Sequence, residues 1–173
     1  MSSPIVHFEP LAERHVDDVA ELIADPEVVR FTRFPEPPPP DFARTVIANY
    51  ENARADGSRE GFAAIGADGE FLGLALAPSI DRKAGELELG YIVARAARGR
   101  GVATEILRQL TRWAFDELGA QRAYLIIDVR NPASERVAER AGYKREGVMR
   151  SVHVKQGIRA DTALWSRLPS DPG

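Results

Sequence analysis

The sequence contains no cysteine. That excludes a disulfide framework, a thiolate metal site and a cysteine nucleophile. It also lacks a basic excess. Against 23 Lys and Arg stand 26 Asp and Glu, a net charge of −3, so nucleic acid is not an expected partner and any anion site must be local. Long hydrophobic runs are missing too. The longest, such as LALA and AYLII, are far too short to cross a bilayer, and the opening MSSPIVHFEP has no basic stretch leading into an apolar one. Neither export nor a membrane partner is expected, and a cytoplasmic location fits a cysteine-free chain.

What is present suits one globular domain. The 173 residues, 44% hydrophobic and 28% charged, are enough to bury roughly 70% of the surface of the unfolded chain. No internal repeat is visible. The PEPPPP stretch at Pro35–Pro40 reads as a stiff extended connector. PSDPG at 169–173 has no core-forming residue and reads as a frayed tail behind a domain spanning 1–168.

The opening third is helical in pattern. A strand at Ile5–Phe8 precedes a helix at Arg14–Ala24 with Val16, Val19, Ala20 and Ile23 on one stripe. Asp25 and Pro26 cap and start another turn of helix, and Asp41 is a natural N-cap for a helix carrying Phe42, Val46, Tyr50 and Ala53. The period then changes to two. GFAAIG and EFLGLALA flank Ala67-Asp68-Gly69, a hairpin signal, and GELELGYIV sets Glu86 and Glu88 against Leu87, Leu89 and Tyr91. A long helix follows from Gly101, with Val102, Ile106, Leu107, Leu110, Trp113 and Ala114 on one side and Gly119 at its stop. RAYLIIDV is a nearly all-apolar strand. Asn131-Pro132 starts a last helix ending at Gly142, and two strands, about 143–154 and 161–168, bend back around Gln156-Gly157.

The segment richest in chemistry is Arg98-Gly99-Arg100-Gly101-Val102-Ala103. Glycines let a backbone approach a ligand closely, and the orphan amides and dipole of the following helix favour an anion there. The two arginines add donors suited to phosphate oxygens. A glycine-rich turn with solvated arginines reads equally well from these residues. No Gly-Lys-Ser/Thr follows, so the segment is not a P-loop. A dinucleotide-binding βαβ unit, which would take NAD, stays open, because strand, glycine turn, helix and a second strand ending in Asp128 imitate it.

LELGYIVARAARGRGVATEIL resembles the acyl-CoA-binding motif of the GNAT superfamily of N-acetyltransferases, with Arg98, Gly101 and Ala103 in the motif positions. The likeness runs on through NPASERVAERAGYKREGVMR and GIRADTALWSRL, as in the RimJ/RimL-like branch that acetylates protein N-terminal amines and related substrates. It implies a single α/β (α+β) domain: a twisted, mostly antiparallel sheet of about seven strands, helices on both faces, and a splayed parallel pair at the cofactor site. It implies acetyl-CoA as co-substrate, no metal, and transfer to a primary amine by direct attack. The acceptor would be a protein or peptide N-terminus, or else a small-molecule amine. A non-catalytic acyl-CoA-binding domain stays open as well.

Residue by residue, the resemblance puts pyrophosphate on the amides from Arg98 through Gly99, Arg100, Gly101, Val102 and Ala103 to Thr104. It puts pantetheine against the backbone of Ile92 and Val93. A bulge at Gly90 would force the pair of strands apart. Asn131 and Ser134 match the family's Asn-x-x-Ser, although Asn131 is equally a helix cap. Many family members carry a tyrosine acid seven residues after this asparagine. Ala138 stands there, which leaves Ser134 or water to protonate the thiolate. For the base, Glu88 is first, with Glu86 on the same face in reserve and His153 third; the two glutamates read equally as solvated residues on an open sheet face. Phe31 and Phe34 should rim the acceptor mouth together with the final hairpin. One sequence is silent on whether two copies form a homodimer.

Overall fold

The computed structural model describes residues 4–172. Seven strands, β1 (Val6–Pro10), β2 (Glu60–Gly66), β3 (Phe71–Asp81), β4 (Glu86–Val93), β5 (Arg122–Asp128), β6 (Lys144–Lys155) and β7 (Ile158–Arg167), form one sheet. Their order is β1-β2-β3-β4-β5-β7-β6, and only β4 and β5 run parallel. The remaining pairs are antiparallel, as the hairpin signals require. In the β2–β3 turn Gly69 donates to the Gly66 carbonyl at 3.0 Å.

Five helices cover the two faces: α1 (Val16–Ala24), α2 (Pro26–Phe31), α3 (Phe42–Asp56), α4 (Val102–Asp116) and α5 (Pro132–Arg140). Alternation in β4 sends Leu87 and Leu89 into the core with Ile106, Leu107 and Leu110 of α4 and Ala138 of α5. The opposite face packs Leu74 and Ala63 against Val19, Leu22, Ile23 and Ile47 of α1 and α3. Leu22 is buried in the α1 stripe, and Ala20, expected there, is exposed. Leucine displaces the smaller side chain because it removes more apolar surface from water.

Asp25 caps α2 as expected, accepting from the Glu27 amide at 2.9 Å. Asp41 does not cap α3. Its φ is +57 and its side chain makes no capping bond; only its carbonyl enters the helix, accepting from Thr45 N at 3.1 Å. The expected frayed tail is also corrected as far as Pro172. Asp171 accepts from Leu168 N at 2.9 Å and pairs with Lys144, and an Arg167 Nη donates to the Pro172 carbonyl. Gly173 lies outside the described residues.

The parallel pair is short. Glu86, Leu87 and Glu88 face Arg122, Ala123 and Tyr124, and pairing then stops while β5 stays fastened to β7. The bulge lies in β3 rather than at Gly90 itself. Leu76 opposes Gly90 and Ser79 opposes Glu88, so Ala77 and Pro78 together oppose the single Leu89. Pro78 has no amide hydrogen to give to a ladder, which suits it to the extra position.

Candidate active site

Where β4 and β5 part, a cleft of about 970 Å³ runs from Ala103 and Ser134 on the α4–α5 side to Glu88, Phe31 and His153 on the other.

The glycine turn enters it from the α4 side. Gly99 and Gly101 have φ of +74 and +79, a conformation that side chains rarely adopt. The first intrahelical bond of α4 is Glu105 N to Gly101 O at 3.2 Å. The amides of Gly101, Val102, Ala103 and Thr104 therefore have no carbonyl one turn back, and the positive end of the helix dipole lies with them. The Val102 side chain is fully buried and pins this end of the helix, while Ala103 lines the cleft.

The two arginines do something other than expected. Arg98 gives one Nη to Asp25 and the other to Glu27, each at 2.8 Å, and its Nε to the Val93 carbonyl at 3.2 Å. It ties α2 to the end of β4. Arg100 forms an exposed pair with Glu70 at 2.6 Å. Both arginines are matched by carboxylates, whereas the amides at the start of α4 have no partner one turn back, an arrangement suited to an anion.

The backbone of β4 also corrects one assignment. Ala94 N donates to Leu72 O at 2.9 Å, and a Cβ on Gly73 would meet the Ile92 carbonyl at 2.0 Å. The groups of Ile92 thus turn to β3, and by strand alternation Tyr91 and Val93 face the edge that β5 leaves.

Asn131 Oδ1 accepts from Ser134 N at 3.2 Å, capping α5, and both residues line the cleft. The Tyr91 hydroxyl lies 2.7 Å from Ser134 Oγ. Burial pushes this phenol up to about 12, with the serine hydrogen bond opposing, so at neutral pH it keeps its proton. The sequence reading placed Tyr91 only on the buried side of an alternating strand. Its alternation with Leu87 and Leu89 gave its face, and nothing in the sequence gave its reach to α5.

On the far side of the sheet Glu88 lines the cleft, half-buried. Burial raises its carboxyl above the ordinary range and the Arg33 guanidinium partly offsets this. His153, from β6, lines the same space; burial and then Arg33 lower its pKa. Phe31 and Phe34 also line the cleft, together with Tyr50, Arg33 and Arg59, which sequence reasoning missed. Glu86 is not. It lies 3.7 Å from Arg122, which itself binds Glu146 at 2.6 Å, and is outside the cleft. Among the described residues no group of three or more His, Asp or Glu could hold a metal ion.

Residues 6–144 match the family described as "Acetyltransferase (GNAT) domain". The chain is 32% identical over 101 residues to the Bacillus subtilis protein named "Putative ribosomal N-acetyltransferase YdaF", a match covering 58% of this chain and 55% of that one. It thus spans about half the length of that relative. Over 153 residues it is 24% identical to the "Uncharacterized N-acetyltransferase p20" of Bacillus licheniformis, covering 88% and 86%. Among solved structures, spermidine N-acetyltransferase from Vibrio cholerae, in complex with CoA and spermine, superposes with a TM-score of 0.85 over 96% of each chain at 20% identity. At that identity the likeness is one of fold. The dinucleotide-binding alternative fails on the sheet, because β4 is antiparallel to its other neighbour and pairs in parallel over three residues alone.

Proposed function

The chain belongs to the GNAT acetyltransferase family, and from that membership we propose that it moves the acetyl group of acetyl-CoA to a primary amine by direct attack. The observation that carries this reading is the parted pair β4–β5, which joins an amide-rich helix start on one face of the sheet to a half-buried carboxylate on the other. Acetyl-CoA supplies an acyl thioester. The amides of Gly101, Val102, Ala103 and Thr104 hold its pyrophosphate, the backbone groups of Tyr91 and the amide of Val93 hold its pantetheine arm, and Asn131 both caps α5 and flanks that arm.

The amine must attack as the neutral base. An N-terminal α-amine with a pKa near 8 is about a tenth neutral at pH 7, whereas a lysine near 10.4 is neutral to only a few parts in ten thousand. Glu88 accepts the proton that the amine loses, directly or through a water. His153 is the second candidate, on the same side of the cleft. The departing sulfur receives a hydrogen bond from the Ser134 hydroxyl, itself backed by the protonated Tyr91 hydroxyl 2.7 Å away. Tyr91 thereby fills from β4 the role that Ala138 on α5 leaves vacant. The favoured acceptor is a protein or peptide N-terminal amine, with small-molecule amines as the second reading; the spermine held by the Vibrio cholerae enzyme favours the latter.

The test is a thermal-shift titration with acetyl-CoA against CoA, NAD and ATP, followed by CoA release with a panel of amines. Ligand at about a hundred times its Kd adds roughly 2.7 kcal/mol, or several degrees. A shift with CoA species alone, and turnover with at least one amine, is the expected result. A shift with NAD, or binding without turnover on any amine, overturns the reading.

A further inference from the structure

Most charges around the cleft are already matched. Asp128 is held by Arg130 at 2.6 Å, and Glu27 and Asp25 by Arg98 at 2.8 Å each. Three charged groups of the cleft wall have no ion-pair partner among the described residues: Glu88, Arg33 and Arg59. If Glu88 receives the proton of the acceptor, two guanidinium groups remain with nothing to neutralise them.

Both are exposed residues at the rim of the cleft, and the chain that carries Arg33 is anchored on either side of it. Arg33 sits between two anchored residues. The Thr32 carbonyl accepts from Lys155 Nζ at 3.0 Å, tying the connector to the β6–β7 hairpin, and Phe34 packs edge-on against Phe42 at 5.5 Å. A second strap, from Gln156 to Glu36 at 3.2 Å, joins the same connector and hairpin. The field of Arg33 reaches both Glu88 and His153. Arg59 enters from the start of β2, and its field reaches Tyr50, which also feels Glu88. The two arginines thus lie on different walls of one space around the carboxylate. A polyamine would bring further ammonium groups towards two guanidiniums and one carboxylate without an ion-pair partner.

We propose that the acceptor amine belongs to a molecule that also carries an anionic group, a carboxylate or a phosphate, which Arg33 and Arg59 clasp while the amine lies at Glu88. The proposal rests on the acetyltransferase reading and names its substrate class. Guanidinium groups suit both anions, because their paired N–H donors match two oxygens at once.

The experiment compares amines in matched pairs: a glycyl dipeptide with its C-terminal amide, phosphoethanolamine with ethanolamine, and spermidine as the polycation. CoA release at saturating acetyl-CoA gives kcat/KM for each. The anionic member of at least one pair should exceed its neutral partner about tenfold or more, as a charge-assisted contact commands, and the better pair shows whether carboxylate or phosphate is the natural group. Arg33→Ala and Arg59→Ala should each shrink that ratio to about twofold, and Arg33→Lys should retain more of it than Arg33→Ala. Preference for the neutral partners or for spermidine overturns the proposal and leaves acetyl transfer standing. So does a ratio that survives the double substitution. No acetylation of any amine overturns the acetyltransferase reading and this one with it.

Discussion

Tyr91 and Ser134, 43 residues apart in sequence, share a 2.7 Å hydrogen bond between their hydroxyls across the mouth of the parted strands. If the pair acts as one donor to the departing sulfur, Tyr91→Phe and Ser134→Ala should each lower the single-turnover rate about tenfold with little change in acetyl-CoA affinity. The double variant should cost little more than either single, because residues acting as a unit are not additive. Unchanged single-turnover rates would remove the pair from the mechanism.

Glu88→Gln should lower kcat/KM by about a hundredfold at pH 7, the scale of a positioned general base, and spare acetyl-CoA binding. Its effect on stability has the opposite sign. Burial raises the Glu88 carboxyl in the folded state, so its contribution to stability is present below the unfolded pKa and is lost as pH rises through the folded one. At pH 7.5 the variant should melt no lower than the parent. Equal activity of the two proteins from pH 6 to 9 would end the assignment.

Gly101→Glu should abolish acetyl-CoA binding. It places a carboxylate where a diphosphate is expected and forces a side chain into a φ of +79, at about 1–2 kcal/mol. Calorimetric titration with acetyl-CoA checks it, and retained micromolar binding would show that the anion site lies elsewhere.

Arg98→Ala should act on the acceptor side. It frees Asp25 and Glu27 at the start of α2, so the helix carrying Phe31 loosens from β4. A loss of about 1 kcal/mol, or a few degrees in Tm, is expected for partly exposed pairs. The KM for the amine should rise more than that for acetyl-CoA. A selective rise in the acetyl-CoA KM would restore Arg98 as a phosphate ligand.

Gly73→Ala should cost about 4 kcal/mol or more and prevent accumulation of folded protein. The added methyl would lie 2.0 Å from the Ile92 carbonyl, and backbone on both sides cannot yield. Normal solubility and Tm would mean that β3 and β4 part more readily than their register shows.

The local signals in the sequence carried well. Ala67-Asp68-Gly69 closes a hairpin, Asp25 and Asn131 cap helices, and the alternation around Leu87 and Leu89 separates the two faces of β4, because each depends on a few adjacent dihedral angles. What stayed hidden depends on partners far along the chain. The bulge at Ala77-Pro78 exists only relative to β4, the carboxylates that occupy Arg98 lie 71 and 73 residues away, and Tyr91 meets Ser134 only once β4 and α5 are packed. Asp41 misled for the reverse reason. Its residue type favours a cap, yet the chain reaches α3 in a left-handed turn that aims the side chain elsewhere.

The early end of pairing at Glu88 also leaves unpaired strand backbone within the sheet. Exposed edges invite other chains to add strands, and proteins ordinarily blunt them with charge, proline or a covering loop. Here β4 keeps free amide and carbonyl groups beyond Glu88 in the interior of a seven-stranded sheet, walled by β5, α4 and α5. A slender extended ligand can reach them, and the bulk of another folded protein cannot. The same recess that admits a substrate arm therefore screens the sheet from templating aggregates.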